Sequence, residues 1–597
     1  IALVKADGSE VVNLTESGYS NAMPQWVLGG KGVAYTSGRY GMRSHGSWGE
    51  QDDVLLMMLD GEAWDDFLMT EEEAAIKEKE DADKKEKESK DKDAKKDKKK
   101  GKKDKKGEDA DEVKPLEFDL DNRAYRQRRL TASSTSLAGY YVSPKADKLY
   151  YLSRGDTGSF NLYERNLKKG DTKVLASGAG YGMIVPDKKG ENLFFLTGSG
   201  IKKVALADGA VEPVEFSAEY SRTPSAERAY IFEHVVRQVA DKFYDAGLHG
   251  VDWKGYADDY RRFLPHISNN ADFATLLSEL LGELNASHTG CRYYAPGAGL
   301  STASLGAFFD ESYDGDGLRV EEIIARGPLS YKRVGIAPGD IITAIDGTEI
   351  KAGADYYPLL EGKNGKKVRI EFTKPDGSRH SATVKPGASD SELLYQRWVK
   401  HNEDVVDSIS GGRIGYVHIE GMDSPSFREI YSKLLGKYRN CEAVVVDTRF
   451  NGGGWLHNDV ALLLSGKEYV RYSPRGRYIG SDPFSQWTKP SVMLVNEANY
   501  SDAHGTPYTY QTLGIGKVVG APIPGTMTAV WWENQIDPTL VFGIPQVTSL
   551  DRNGQPLENK QLNPDVIIYN NPADELQGID TQLIESVKAL LRQIDNK

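Results

Sequence analysis

Residues 71–112, EEEAAIKEKEDADKKEKESKDKDAKKDKKKGKKDKKGEDADE, cannot take part in a packed core. Apart from Ile76 the stretch holds no large apolar side chain. Such a segment buries too little surface to offset the entropy lost on ordering, so residues 71–114 are expected to form a disordered, solvated insertion. The Lys-rich middle has the composition to attract anionic partners, but a solvated loop is the expected reading. The remainder must then carry the fold, and its composition is that of a globular protein: over all 597 residues, 39% are hydrophobic and 27% charged. At this length several domains are expected rather than one core. The formal net charge of −13 argues against nucleic acid as a partner. No apolar run approaches the roughly 18 residues that span a bilayer. Two cysteines, Cys291 and Cys441, make no disulfide framework. No signal-peptide pattern precedes Ile1, so a mature or truncated form is expected.

The hydrophobic period changes along the chain and divides it. Residues 1–70 and 115–218 alternate short apolar runs with Gly and Asp-Gly turns, as in KADGSEVVNLT and GYYVSPKADKLYYLSRGDTGSFNLYERNLKKGDTKVLA. A spacing of roughly 40 residues per unit is that of propeller blades, and too few units fit before residue 218 for a usual closed ring. From 219 to 298 the apolar residues fall at helical spacing, with Ser225 and Asn270 as expected N-caps. Residues 299–386 are β-rich again around GLRVEEIIARGPLSYKRVGIAPGDIITAIDGTEI, followed by a helix-like GADYYPLLEG. Residues 387–597 alternate buried strands with helices, which predicts an α/β domain.

Four stretches could carry chemistry. NEANYSDAHG puts Ser501 at a strand-to-helix turn, where a serine is ordinarily only an N-cap. ASHTG closes the helical segment with Ser287 and His288, although a lone histidine is more often structural. DTRFNGGGW places three glycines after a buried strand, which permits close backbone approach. PLENKQLNPDV holds Glu558 ahead of the last helix. Serine hydrolysis needs a hydroxyl, a base within hydrogen-bond reach, an orienting partner and preorganised N–H donors. The four stretches contain those groups. His504, three residues after Ser501, is a rival base, and Cys291 beside His288 is a weaker thiol alternative. No HExxH, paired CxxC or GxxxxGK[ST] occurs, so neither a metal nor a cofactor is expected.

Taken in order, these motifs resemble the tricorn protease family, and the resemblance covers essentially the whole chain. It implies a multidomain fold: β-propeller blades, a helical segment, a PDZ-like β domain and an α/β catalytic domain. It implies a serine peptidase acting on peptides, with Ser501 as nucleophile and His288 as general base. Glu558 would orient the imidazole through the hydroxyl of Ser287, and the N–H groups of Gly454 and Asp502 would form the oxyanion hole. The PDZ-like segment would bind peptide ends by strand addition, or serve only as a structural element. Where the archaeal enzyme reads basic P1 residues with an Asp, this chain has Tyr472, so that counterion is missing and apolar or aromatic P1 residues are expected to be preferred, with Asp459 or Asp482 as the acids that would reverse this by reaching the pocket. The resemblance also implies a homo-oligomer, a hexamer in the family, and a cytoplasmic protein, with a periplasmic one as the alternative. Two other readings remain. A carboxy-terminal processing protease would use a lysine base, and Thr526 stands at that place. A non-catalytic propeller and PDZ scaffold would only bind peptides.

Overall fold

The computed structural model describes residues 1–45, 51–70, 72–77, 79, 82, 116–155, 158–197, 200–295, 297, 299 and 301–596. Most of the charged insertion read at 71–114 lies outside them. The described chain forms two compact units, residues 1–44 with 48–220, and residues 45–47 with 221–597.

The first unit is a series of antiparallel meanders. Besides a small two-stranded sheet, three four-stranded sheets follow one another, and each pairs its strands in chain order. The first contains Asn21–Val27, Gly32–Ser37 and Asp53–Met58. Its fourth strand is Gln127–Arg129, which pairs through Leu55↔Arg129. The insertion therefore falls inside one sheet rather than between two. Buried Asp53 holds that closure, accepting from Arg129 Nε at 2.8 Å and from Ser134 Oγ at 2.7 Å. Lys168 caps the short helix Gly61–Leu68, its Nζ donating to the carbonyls of Phe67 and Met69. Consecutive sheets bury their faces against each other. Leu56 and Met58 share one core with Tyr140 and Val142, and Leu152 and Leu162 share the next with Leu193 and Phe195.

In the second unit three helices, Pro224–Lys242, Trp253–Arg261 and Asn270–Gly282, pack through Phe232, Val235, Phe273 and Leu277. The expected N-caps shift by a residue or two. Thr223 precedes the first helix, and Asn269 caps the third by accepting from Asp272 N. Asn270 instead donates its amide to Asp537 Oδ2 at 2.8 Å. This helical cluster is not closed by itself. Leu540, Phe542 and Ile544 complete its core, and the strand Gly290–Tyr293 joins the hairpin Thr528–Asn534 and Leu540–Thr548 in one sheet.

Residues 307–384 form an antiparallel β domain around Val320, Ile342, Val368 and Phe372. The helix expected near Tyr356 is one 3₁₀ turn, Tyr357–Leu360. Pro358 removes one N–H donor, and Gly362, at φ 63°, turns the chain away just after it.

The α/β part is a five-stranded parallel sheet of Ile414–His418, Ala443–Asp447, Ser491–Val495, Lys517–Gly520 and Val566–Ile567, in that order. Its four longer strands are nearly continuous apolar runs because both faces are covered. One face packs on Ser391–Ser410 and Thr581–Asp595, the other on Ser424–Ser432, His457–Leu464 and Asp502–Thr512. The loops after the second and third strands meet at the carboxyl edge of the sheet, where open α/β sheets bind ligands.

Candidate active site

Ser501 sits in the turn between the strand Ser491–Val495 and the helix Asp502–Thr512. Its backbone has φ 57° and ψ −124°, a conformation that a non-glycine residue rarely adopts. The side chain makes no capping hydrogen bond to the helix it precedes, so the ordinary N-cap reading does not apply. The turn is held by its backbone instead. Ser501 N donates to Thr526 Oγ1 at 2.9 Å, and Ser501 O accepts from His504 N at 2.8 Å.

The glycine loop presses directly on this turn. A Cβ on Gly453 would stand 2.5 Å from the Ser501 Cβ and 3.0 Å from Asp502 N. Gly454, at φ +144°, would put a Cβ 2.2 Å from the Met422 carbonyl. Only glycine fits either place. Asn451 ties the loop to the turn: its Oδ1 accepts from Gly453 N at 2.8 Å, its Nδ2 donates to Ile419 O, and its carbonyl accepts from Tyr500 N at 3.0 Å. Among the described residues the N–H groups of Gly454 and Asp502 make no hydrogen bond, and a first-turn N–H such as that of Asp502 has no acceptor within its own helix.

Buried charges brace the loop from below. Asp447 and Arg449 are enclosed and doubly hydrogen-bonded, and Arg449 Nη1 reaches Asp580 at 2.8 Å. Burial pushes the Asp447 carboxyl up, but the Arg449 guanidinium outweighs it and holds it below the usual carboxylate range. His418 Nε2 donates to the Arg449 carbonyl at 2.9 Å, with Tyr395 on its other nitrogen. Asp502 braces the second donor: its carboxylate accepts from His457 N at 3.0 Å and from His457 Nδ1 at 2.6 Å. That bond raises the His457 pKa above its ordinary value. Motif reading singled out Asp447, Arg449 and Asn451 only as parts of a glycine stretch. It missed His457, whose i+3 offset from Gly454 gave no indication of a partner.

His288 comes from the other side. Its backbone N–H donates to the Tyr500 hydroxyl at 2.7 Å, and the two rings lie 4.7 Å apart. The imidazole thus stands beside the residue that precedes Ser501. Its Nδ1 lies 2.7 Å from Ser287 Oγ, and Ser287 Oγ donates to Glu558 Oε2 at 3.0 Å. Glu558 Oε1 also accepts from Ser287 N at 2.6 Å. Burial pushes the His288 pKa down to about 4, so the ring is neutral near pH 7. Burial raises the Glu558 carboxyl as well, an effect the Ser287 hydrogen bonds partly offset. The structure thus brings Glu558, Ser287 and His288 into one chain of hydrogen bonds.

His504 is enclosed beneath the turn, and its Nδ1 accepts from Thr526 N at 3.4 Å. Cys291 is paired in a sheet, and burial pushes its thiol up to about 12, far from a reactive thiolate. Tyr472 is exposed. It lies in the small hairpin Val470–Tyr472 and Gly480–Asp482, and its hydroxyl donates to Asp482. The Tyr472↔Gly480 register brings the Asp482 carboxylate to that hydroxyl. Around the glycine loop, Phe450 and Trp455 are 62% and 42% exposed, which makes the rim of the site aromatic.

Comparison with known proteins matches three segments to families: residues 224–282 to the tricorn protease C1 domain, 310–389 to the tricorn protease PDZ domain, and 413–568 to peptidase family S41. The chain is 32% identical over 387 residues to tricorn protease homolog 1 of Streptomyces coelicolor, covering 62% of this chain and 36% of that protein. It is 26% identical over 380 residues to the tricorn protease of Thermoplasma acidophilum, covering 62% and 34%. The match thus spans about a third of the length of these relatives. The fold is similar to that in the crystal structure of the tricorn protease, with a TM-score of 0.78 at 18% identity, over 100% of this chain and 57% of the other.

Proposed function

We propose that this chain, whose segments match the tricorn protease C1 and PDZ domains and peptidase family S41, is a serine peptidase in which Ser501 attacks the peptide carbonyl. The carrying observation is the hydrogen-bonded chain from Glu558 through Ser287 to His288, ending beside the strained turn that presents Ser501. His288 takes the hydroxyl proton at Nε2 and later returns it to the leaving amine. Its Nδ1–H points to Ser287 Oγ, which fixes the tautomer that leaves Nε2 free as base. Gly454 N–H and Asp502 N–H receive the oxyanion, and the Gly453 and Asn451 contacts hold these donors in place before the charge develops.

On this reading the three four-stranded sheets are blades of a β-propeller, the PDZ segment is an accessory peptide-binding or structural module, and the working form is a homo-oligomer. A serine–lysine dyad is disfavoured because Thr526, a hydroxyl, stands where the amine would be and is engaged by Ser501 N. A peptide-binding scaffold would have no use for a neutral histidine backed by a buried carboxylate. A fluorophosphonate probe should label the wild type at Ser501 and fail to label Ser501→Ala. Equal labelling of both, or peptide hydrolysis by the variant, would remove Ser501 as nucleophile.

A further inference from the structure

A second hydroxyl shares the base. Thr528, at the start of the hairpin strand Thr528–Asn534, is buried, and its Oγ1 lies 3.0 Å from His288 Nδ1 and 3.1 Å from Ser287 Oγ. We propose that Thr528 is a positioning residue of the catalytic base, sharing the His288 Nδ1–H with Ser287. The inference rests on the peptidase reading above.

Counting donors and acceptors leads to it. An ionised Glu558 only accepts, so the Ser287 proton goes to Glu558 Oε2. A base at Nε2 carries its proton on Nδ1, and that proton needs an oxygen. Ser287 Oγ and Thr528 Oγ1 both stand within reach. Thr528 can spend its own proton on the remaining lone pair of Ser287 Oγ. The arrangement is then closed: Ser287 donates once and accepts twice, while Thr528 donates once and accepts from a shared Nδ1–H. No group in the cluster is left unsatisfied, as buried polar networks require. When the hydroxyl proton of Ser501 reaches Nε2, the imidazolium charge at Nδ1–H meets two oxygen dipoles rather than one. Either hydroxyl can hold the ring if the other is lost.

Redundancy makes the proposal testable. Thr528→Val keeps the shape and removes the oxygen, and Thr528→Ser restores it. Thr528→Val should lower kcat about tenfold, the effect of losing one hydrogen bond near a charge, with KM little changed. The acid limb of kcat/KM should move to lower pH, because an imidazolium with fewer acceptors loses its proton more readily. Thr528→Ser should recover both. In a Ser287→Ala background, Thr528→Val should cost more than in the wild type, because Thr528 is then the only acceptor left. A Thr528→Val enzyme with wild-type kcat and pH profile would overturn the proposal, as would equal loss in both backgrounds. If Thr528→Val does not fold, Thr528→Ser against Thr528→Ala decides on the same readouts. Failure here with Ser501→Ala inactive leaves the peptidase reading standing. Activity in Ser501→Ala would instead end that reading.

Discussion

The two halves of the site are built differently. The nucleophile half comes from neighbouring loops of one parallel sheet and is fixed by backbone: Gly453 packs on Ser501, Asn451 stitches the loop to the turn, and the Asp447–Arg449 pair braces it from below. The base half gathers three distant pieces. Ser287 and His288 end a helical cluster, Thr528 begins a hairpin, and Glu558 rides on a polar loop, and they meet through hydroxyls and one carboxylate. A backbone-built half has no slack, since an added methyl collides with main chain. A half held by side-chain hydrogen bonds can lose one and keep the rest. Beyond the reacting groups themselves, changes to the backbone of the first half should therefore cost more than changes to the supporting hydroxyls and carboxylate of the second.

The reacting groups set the upper end. Ser501→Ala and His288→Ala should each lower kcat on the order of 10⁴ to 10⁶, since base and nucleophile act as a unit. His504→Ala should leave most of kcat, and a greater loss there in peptide assays would move the base to the other half. Next comes the backbone. Gly453→Ala should cost on the order of 10² to 10³ in kcat by displacing the oxyanion donors, and should block fluorophosphonate labelling. Near-wild-type labelling would show that the glycine loop has slack after all.

Glu558→Gln probes the side-chain half. The amide can still accept from Ser287 N or Ser287 Oγ but not from both, so a loss of about ten- to a hundredfold in kcat is expected, the effect of one or two hydrogen bonds to a charge. A loss equal to that of Ser501→Ala would erase the contrast between the halves. The same half sets the pH response. Burial holds His288 near 4, so the base is neutral and competent above that value and is lost as pH falls through it. The acid limb of kcat/KM in wild type should lie well below the ordinary imidazole value of about 6.5. A limb at the ordinary value would mean that the ring is better solvated than its packing on Tyr500 implies.

The smallest effect concerns specificity. Phe450, Trp455 and Tyr500 give the rim around Ser501 an aromatic character. In a P1 series, Phe or Leu should exceed Arg or Lys in kcat/KM by about tenfold, or 1.4 kcal/mol. The reverse order, abolished by Asp482→Asn, would show that the carboxylate held by Tyr472 reads the substrate.

Much of this was legible in one dimension. Helical spacing in residues 219–298, buried runs such as CEAVVVD and SVMLV, and Asp-Gly turns reflect local periodicity and turn chemistry, and the corresponding elements formed. The strand Gln127–Arg129 was not legible as the partner of Asp53–Met58, because strand pairing across an insertion leaves no local pattern. Asn269 rather than Asn270 became the cap, because Asn270 found a better partner in Asp537, far along the chain.

The sequence by itself determined which residue types were available: a serine at a strand-to-helix turn, glycines after a buried strand, a Ser-His pair at a helix end, an acid in a polar loop. These depend on neighbours a few residues apart, and local sterics decide them. Only the tertiary structure decided that Thr528 shares the imidazole, that His457 answers Asp502, and that Tyr472 is paired with a carboxylate. Each of these is a contact between side chains brought together by a shared sheet, a helix start or a hairpin register. A hydrogen bond's partner is chosen by where the backbone finally puts it, and no spacing along the chain encodes that.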